Sequence, residues 1–180
     1  MVVGIDVTHP SYGSLPTAPS VAAVVASTDA QLGQFPGVLR IQDASRREMV
    51  SDLIEMIKSR LELWERKHKT LPENVLVYRD GVSEGQYETL RNTEIKAMTD
   101  AFDLKYPKSQ REKGLPRMTV IVVGKRHHTR FYPTRKNEAH QQSGNTKSGT
   151  VVDRGVTRIW DWDFFLQAHT GLKGTAKPAH

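Results

Sequence analysis

The sequence contains no cysteine. Disulfide bonds and thiolate-bound zinc sites are therefore excluded, and cysteine usage says nothing about the redox compartment. No apolar run approaches the roughly 20 residues that a membrane span needs. Aromatic residues make up only 7% of the chain, and its 180 residues suit one domain of ordinary size. We expect a soluble intracellular protein, in the cytoplasm or the nucleus, with no membrane partner.

Positive charge is concentrated in one stretch of the chain, residues 105–136. The stretch holds ten Lys or Arg residues against one acid, Glu112, and so carries +9. Because the net charge of the chain is +6, the remaining residues together carry −3. A localised basic segment favours a polyanionic partner such as nucleic acid. The alternative is a solvated lysine-rich loop.

The hydrophobic pattern predicts an α/β protein with the element order β-β-β-α-β-α-β. Three short apolar runs joined by turns predict an antiparallel three-strand meander, and helical periodicity then alternates with further strands. Such an order indicates a mixed central sheet, the meander plus parallel strands, flanked by α-helices. The predicted strands cover residues 2–5, 21–27, 38–41, 75–78 and 118–123, and the predicted helices cover residues 46–67 and 84–103.

Two sequence patterns predict how the helices begin. Ser83 and Gln86 predict a capping box at the start of the second helix. Ser45 and Glu48 fit the same S-x-x-E pattern at the start of the first helix, a structural role that needs no catalysis. By itself, this spacing favours Glu48 as a helix cap.

Two aspartates stand where predicted central strands end. Asp6 follows the first strand and Asp80 the fourth, so parallel pairing would bring both carboxylates to one edge of the sheet. Neighbouring acids repel unless cations neutralise them, and Mg²⁺ or Mn²⁺ prefer oxygen ligands. Two such ions, about 3.5–4 Å apart, can hydrolyse a phosphodiester. The alternatives are structural: Asp80 before Gly81 suits a turn, and Asp6 merely ends a strand.

Four segments spread over the whole chain resemble the PIWI domain of the Argonaute family. They read GIDVTHP at 4–10, YRDGVSEGQ at 78–86, KRHHTR at 125–130 and GTAKPAH at 174–180. The second matches the family's most diagnostic block almost letter for letter. The resemblance implies an RNase H-like fold.

The resemblance also implies catalytic residues. Argonautes hold two Mg²⁺ ions with an Asp-Glu-Asp-Asp/His tetrad and cleave RNA opposite the guide. Asp6 and Asp80 match the two aspartates and are the expected ligands for two Mg²⁺ or Mn²⁺ ions. Glu48 matches the glutamate that inserts into the site, so the resemblance favours a catalytic role for Glu48 over a helix cap. The expected catalytic residues are therefore Asp6, Glu48 and Asp80. The family's fourth ligand lies beyond the last matching block, so His180 is not that residue.

Basic residues near the end of the 118–123 strand are expected to contact nucleic acid. In the family, residues matching Lys125, Arg126, His169 and Lys177 contact guide-strand phosphates, and Lys177 stands where many relatives have Arg. Strand geometry points neighbouring residues to opposite faces, so His127 and His128 are not expected to chelate one ion. Trp160 and Trp162 are expected to pack in the core or on a strand. The full set of expected nucleic-acid-binding residues is Lys125, Arg126, His128, Arg130, His169 and Lys177.

The resemblance implies a small-RNA-guided endoribonuclease that acts in RNA silencing. Its expected partners are a small guide RNA, a complementary target RNA, silencing-complex proteins and the remaining Argonaute domains. Residues 1–180 are expected to be a partial PIWI domain, without the N-terminal, PAZ and MID domains or the C-terminal end of PIWI. The alternative is a non-cleaving scaffold that binds guide and target. Another RNase H-like enzyme, such as a transposase, would share the acids but not the segment 78–86.

Overall fold

The computed structural model describes residues 1–15, 17–42, 47–109, 114–171 and 174–180. They form two compact units, residues 1–122 and 123–180. None of the helices in these ranges is both long enough and apolar enough to cross a membrane. The strands are β1 (Val2–Thr8), β2 (Val21–Ala26), β3 (Gly37–Ile41), β4 (Asn74–Asp80), β5 (Arg117–Val123), β6 (Thr150–Val152) and β7 (Phe165–Gln167), and the α-helices are α1 (Leu53–His68), α2 (Tyr87–Leu90) and α3 (Lys96–Lys105).

A five-stranded mixed sheet forms the centre of the first unit. Its strand order is β3-β2-β1-β4-β5. The pairs β1–β2 and β2–β3 are antiparallel, as the predicted meander requires, and β1 pairs with β4 in parallel. The predicted mixed sheet flanked by helices is therefore confirmed.

Alternation of side chains along β1 and β4 decides which face of the sheet is buried. Val3, Ile5 and Val7 of β1 are buried with Val75 and Val77 of β4, in one hydrophobic core with residues of α1 and α3. Side chains alternate between the two faces of a strand, so the intervening positions face away from this core. Fully burying an aliphatic side chain of this kind stabilises the fold by about 1.5–3 kcal/mol.

Helix α1 begins at Leu53, seven residues later than predicted. Two backbone amides before it are bound by side chains from other elements. The amide of Val50 donates to Oε1 of Glu94 at 2.8 Å, and that of Ser51 donates to Oε1 of Gln42 at 3.0 Å. Glu48 therefore lies in a loop before α1 and does not cap this helix. Ser45, the other residue of the predicted capping box, lies outside the described residues.

The second predicted helix is a continuous helical region of changing pitch. A 3₁₀ turn at Glu84–Gln86 leads into α2, a π-turn at Arg91–Ile95 follows, and α3 completes it. The predicted capping box forms, because the backbone amide of Ser83 donates to Oε1 of Gln86 at 3.2 Å. π-turns inside α-helices occur frequently at functional sites.

The second unit has little regular structure. Strands β6 and β7 pair antiparallel, and Leu166 of β7 also pairs with Ala179. The expected packing role of the two tryptophans is wrong: Trp160 is 94% exposed and Trp162 is 77% exposed. They precede β7, which begins only at Phe165, so the strand does not include them.

Candidate functional site

Asp6 and Asp80 occupy neighbouring positions on two parallel strands. The β1–β4 ladder ends with Ile5 opposite Arg79, and each aspartate is the next residue of its strand. Both therefore leave the sheet on the face opposite the buried valines. Asp80 ends β4, whereas β1 continues two residues past Asp6 because β2 still pairs with it there. Adjacent strands lie about 4.8 Å apart, so the two side chains start side by side.

Glu48 reaches the same place from the loop before α1. Its Oε1 lies 3.0 Å from the point where a Cβ on Gly81 would stand, and Oδ1 of Asp6 lies 3.8 Å from that point. The two carboxylate oxygens are thus separated by at most the sum of these distances, about 6.8 Å. Gly81 has φ of +88°, a conformation that favours glycine. The glycine therefore serves both the turn after Asp80 and the close approach of Glu48.

A buried arginine holds Glu48 in this position. The side chains of Arg79 and Glu94 are each 1% exposed, and Arg79 Nε donates to Glu94 Oε2 at 2.8 Å. Arg79 Nη2 donates to Glu94 Oε1 at 3.0 Å and to the backbone carbonyl of Glu48 at 2.6 Å. Arg79 Nη1 donates to Glu48 Oε1 at 3.1 Å and to the carbonyl of Asp80. All five N–H groups of the guanidinium thus have an acceptor.

The charges around Arg79 keep it protonated. Burial alone would lower its pKa, but the hydrogen bonds and charge of Glu94, and then of Glu48, raise the pKa above its ordinary value. The described acids of this site, Asp6, Glu48, Asp80 and Glu94, carry four formal negative charges against the single positive charge of Arg79. This excess of negative charge favours a cation at the open side of the site.

His9 contacts the other oxygen of Glu48. Its Nε2 lies 2.9 Å from Glu48 Oε2, and its Nδ1 lies 2.8 Å from the hydroxyl of buried Ser20. An ionised carboxylate only accepts hydrogen bonds, so Nε2 carries the proton that faces Glu48. When the His9 ring is neutral, its Nδ1 carries no proton and accepts a hydrogen bond from the Ser20 hydroxyl. Both Glu48 oxygens are thus engaged by protein groups.

The chemistry of the two aspartates fits divalent cations. Within the described ranges, no group of three or more His, Cys, Asp or Glu side chains is arranged to hold a metal ion. Mg²⁺ usually binds through one or two carboxylates and completes its octahedral shell with water and substrate phosphate. Asp6 and Asp80 match that donor pattern. The two oxygens of Glu48 accept hydrogen bonds from Arg79 and His9, which fix the position of its carboxylate.

The expected nucleic-acid-binding residues all lie in the second unit. Lys125, Arg126, His128 and His169 are exposed, while Arg130 and Lys177 are half-buried. Gly124 and His180 exchange two backbone hydrogen bonds, of 2.7 and 2.9 Å, which tie the start of the 125–130 segment to the end of the 174–180 segment.

Asn145 joins the loops that carry two of these residues. Its side-chain amide donates to the carbonyls of Thr170 at 2.7 Å and Gly174 at 2.9 Å, and its Oδ1 accepts from the amide of Ala176 at 3.2 Å. It therefore holds together the chain after His169 and the chain before Lys177.

The two adjacent histidines have different surroundings. Nε2 of His127 lies 2.9 Å from the carbonyl of Pro178, and its ring packs edge-on against Phe165. Burial lowers the pKa of His127, and the nearby charges of Lys177, His180 and Arg130 lower it further. His128 is exposed.

Comparison with known families decides the affiliation. The whole chain, residues 1–180, matches the family model described as Piwi domain. The chain belongs to the Piwi domain family.

The curated proteins and solved structures similar to this Piwi domain include Argonautes. It is 40% identical over 183 residues to Protein argonaute 18 of Oryza sativa subsp. japonica, a match covering 100% of this chain and 16% of that protein. It superposes on Kluyveromyces polysporus Argonaute, solved with a guide RNA, with a TM-score of 0.86 and 34% identity over 99% of this chain and 22% of that one. The C-terminal lobe of a budding yeast Argonaute superposes with a TM-score of 0.85 and 33% identity. This match covers 99% of this chain and 36% of the yeast chain. The expected RNase H-like fold is thereby confirmed.

Sequence reasoning missed the pair of Arg79 and Glu94 in this Piwi domain. Both positions could have been found from periodicity. Arg79 continues the inward-facing series of Val75 and Val77, and Glu94 stands four residues after Leu90 and four before Met98 on the apolar stripe of its helix. A charged residue on a buried face needs a partner of opposite charge, so each one indicates the other.

Proposed function

We propose that this Piwi domain is the catalytic core of a small-RNA-guided endoribonuclease that cleaves target RNA in gene silencing. The observation that carries the proposal is the parallel pairing of β1 with β4, which sets Asp6 and Asp80 side by side on one face of the sheet. The chain spans 16% of its rice relative, so the activity is proposed for a protein of full Argonaute length that carries this domain, called the parent protein below.

In this proposal Asp6 and Asp80 hold two Mg²⁺ or Mn²⁺ ions. When bound, such a pair of ions activates a water molecule and stabilises the leaving oxygen of a phosphodiester. The aspartates supply hard oxygen donors on the open face, where a phosphate and water can complete the coordination. Glu48, oriented by Arg79 and His9, contributes a fixed negative carboxylate next to them.

The basic residues of the second unit are proposed to bind RNA phosphates. Lys125, Arg126 and Lys177 supply positive charge, and His128, Arg130 and His169 supply further hydrogen-bond donors. Contacts of this kind position a duplex without reading its sequence, so target choice comes from base pairing with the guide. The Kluyveromyces polysporus Argonaute solved with a guide RNA supports a guide RNA as the partner.

The experiment compares the isosteric substitutions D6N and D80N with E88Q in the intact parent protein. Glu88 is an exposed acid on α2 and makes E88Q a charge-matched control. We expect D6N and D80N to lower the single-turnover cleavage rate constant at least a thousandfold while the dissociation constant for guide RNA stays within twofold. E88Q should cleave at the parent rate. Parent protein that binds guide and target but cleaves nothing would establish the non-cleaving scaffold instead.

A further inference from the structure

We propose that Glu94 is a positioning residue that sets the place of the Glu48 carboxylate, acting through Arg79. This inference rests on the proposed function only for its cleavage measurement. Glu94 stands in the π-turn Arg91–Ile95, between α2 and α3.

The first step is the orientation of the arginine. Both oxygens of Glu94 accept from Arg79, at 2.8 Å from Nε and 3.0 Å from Nη2. A bidentate pair of this kind fixes the plane of the guanidinium as well as its position. Glu94 occupies one edge of that plane, so the remaining N–H groups must point at the Glu48 and Asp80 side.

The second step is the use of the remaining donors. Nη1 binds the side chain of Glu48, Nη2 binds its backbone carbonyl, and Nη1 also binds the carbonyl of Asp80. One guanidinium thus holds the Glu48 carboxylate, the Glu48 backbone and the end of β4. Each of these contacts depends on the orientation that Glu94 imposes.

The third step is a direct contact between Glu94 and the Glu48 loop. Oε1 of Glu94 accepts from the backbone amide of Val50 at 2.8 Å. The loop is therefore attached to Glu94 on both sides of Met49, through Val50 directly and through the carbonyl of Glu48 by way of Arg79. Since α1 begins only at Leu53, these bonds replace helical hydrogen bonds in holding the loop.

The test replaces Glu94 with Gln in the intact parent protein, with E88Q as the matched control. Gln keeps the size of Glu but offers one acceptor oxygen and an amide donor, so it cannot accept all three bonds that Glu94 accepts. Two measurements are made: hydrogen–deuterium exchange of the amides of residues 48–50, and single-turnover cleavage of a guide-matched RNA. The amplitude of the single-turnover reaction reports the active fraction, and its rate constant reports the chemical step.

For E94Q we expect at least tenfold faster exchange at residues 48–50, with the amides of β1 and α1 within twofold of the parent protein. The cleavage rate constant should fall at least tenfold, while the amplitude and the dissociation constant for guide RNA stay within twofold. E94D, which keeps the charge but shortens the side chain, should show the same pattern to a smaller degree. It also provides the test if E94Q does not fold.

Three results would overturn the proposal. The first is faster exchange throughout the first unit together with a lower amplitude, which would make Glu94 a general stabiliser. The second is unchanged exchange at residues 48–50. The third is locally faster exchange with an unchanged rate constant in a protein that cleaves. If the parent protein itself does not cleave, the proposed function fails, and the exchange measurement alone decides whether Glu94 positions Glu48.

Discussion

Oε1 of Glu48 lies 3.0 Å from the position that a Cβ on Gly81 would take, and Gly81 has φ of +88°. The turn that ends β4 and the carboxylate from the loop before α1 therefore occupy adjoining space. This space exists only while residue 81 has no side chain. The proposed site thus depends on a glycine that bears no chemical group of its own.

Gly81→Ala should impair both the fold and the proposed site. The left-handed backbone costs an L-residue about 1–2 kcal/mol, and the new methyl group would displace Glu48. We expect the free energy of unfolding in urea to fall by about this amount, with a lower cleavage rate constant. Gly85→Ala is the control, because nothing lies within 4 Å of a Cβ at Gly85. Equal effects of the two substitutions would contradict the inferred contact.

His127 should make the protein less stable at mildly acidic pH. Its Nδ1 is buried without a hydrogen-bond partner among the described residues, and burial lowers the pKa of the ring. As the pH falls below about 6.5, the ordinary value for histidine, the unfolded chain takes up the proton before the folded one. The contribution of neutral His127 to the free energy of unfolding is therefore fully present above that pH. It is lost progressively as the pH falls from the pKa of the unfolded chain to the lower pKa of the folded protein.

The measurement is the free energy of unfolding between pH 8 and pH 5 for the parent protein and for H127Q. Gln cannot titrate, so H127Q should lose less stability over this range. H128Q, at an exposed position, should retain the parent pH dependence. Parallel pH curves for the parent protein and H127Q would exclude His127 as the source.

Asn145→Ala should loosen the loops that carry His169 and Lys177. Three hydrogen bonds to the backbone disappear, at about 0.5–1.5 kcal/mol each. We expect the free energy of unfolding to fall by about 1.5–4.5 kcal/mol and the dissociation constant for guide RNA to rise. Asn137→Ala, at an exposed position, is the control. Unchanged protection of the amide of Ala176 from hydrogen exchange would argue against this account.

Arg126→Gln should weaken the binding of a guide–target duplex equally for different sequences. A phosphate contact contributes by releasing a counterion, so its loss lowers the slope of log K against log salt concentration by about 1. The measurement is duplex affinity at several salt concentrations, with two unrelated guide sequences. Arg91→Gln, an exposed arginine of the first unit, should leave the slope unchanged. A sequence-dependent loss in R126Q would indicate base contact instead.

Much of the sheet could be predicted because its information is local. Short apolar runs identified β1, β2 and β4, and a parallel pairing of β1 with β4 was the condition stated for bringing Asp6 and Asp80 together. The structure meets that condition through the Ile5–Arg79 register. Apolar runs suffice here because a strand is a short segment whose apolar residues are consecutive in the sequence.

The start of α1 could not be predicted in the same way. The apolar stripe extends back through Met49 and Val50, and it suggests helix there. In the folded chain, Met49 packs instead with Val82 and Leu90, and the amide of Val50 is bound by Glu94. These partners are more than thirty residues away, so no local pattern contains them.

The amino-acid sequence by itself determined the five strands of the central sheet and the membership in the Piwi domain family, but not the short strands β6 and β7. The tertiary structure alone decided where the Glu48 carboxylate lies. Glu48 is held by His9, 39 residues away, and by Arg79, 31 residues away, and Arg79 is in turn oriented by Glu94. Side-chain periodicity records which face a residue occupies, but the direction of a loop carboxylate follows from hydrogen bonds that form only when distant segments have packed.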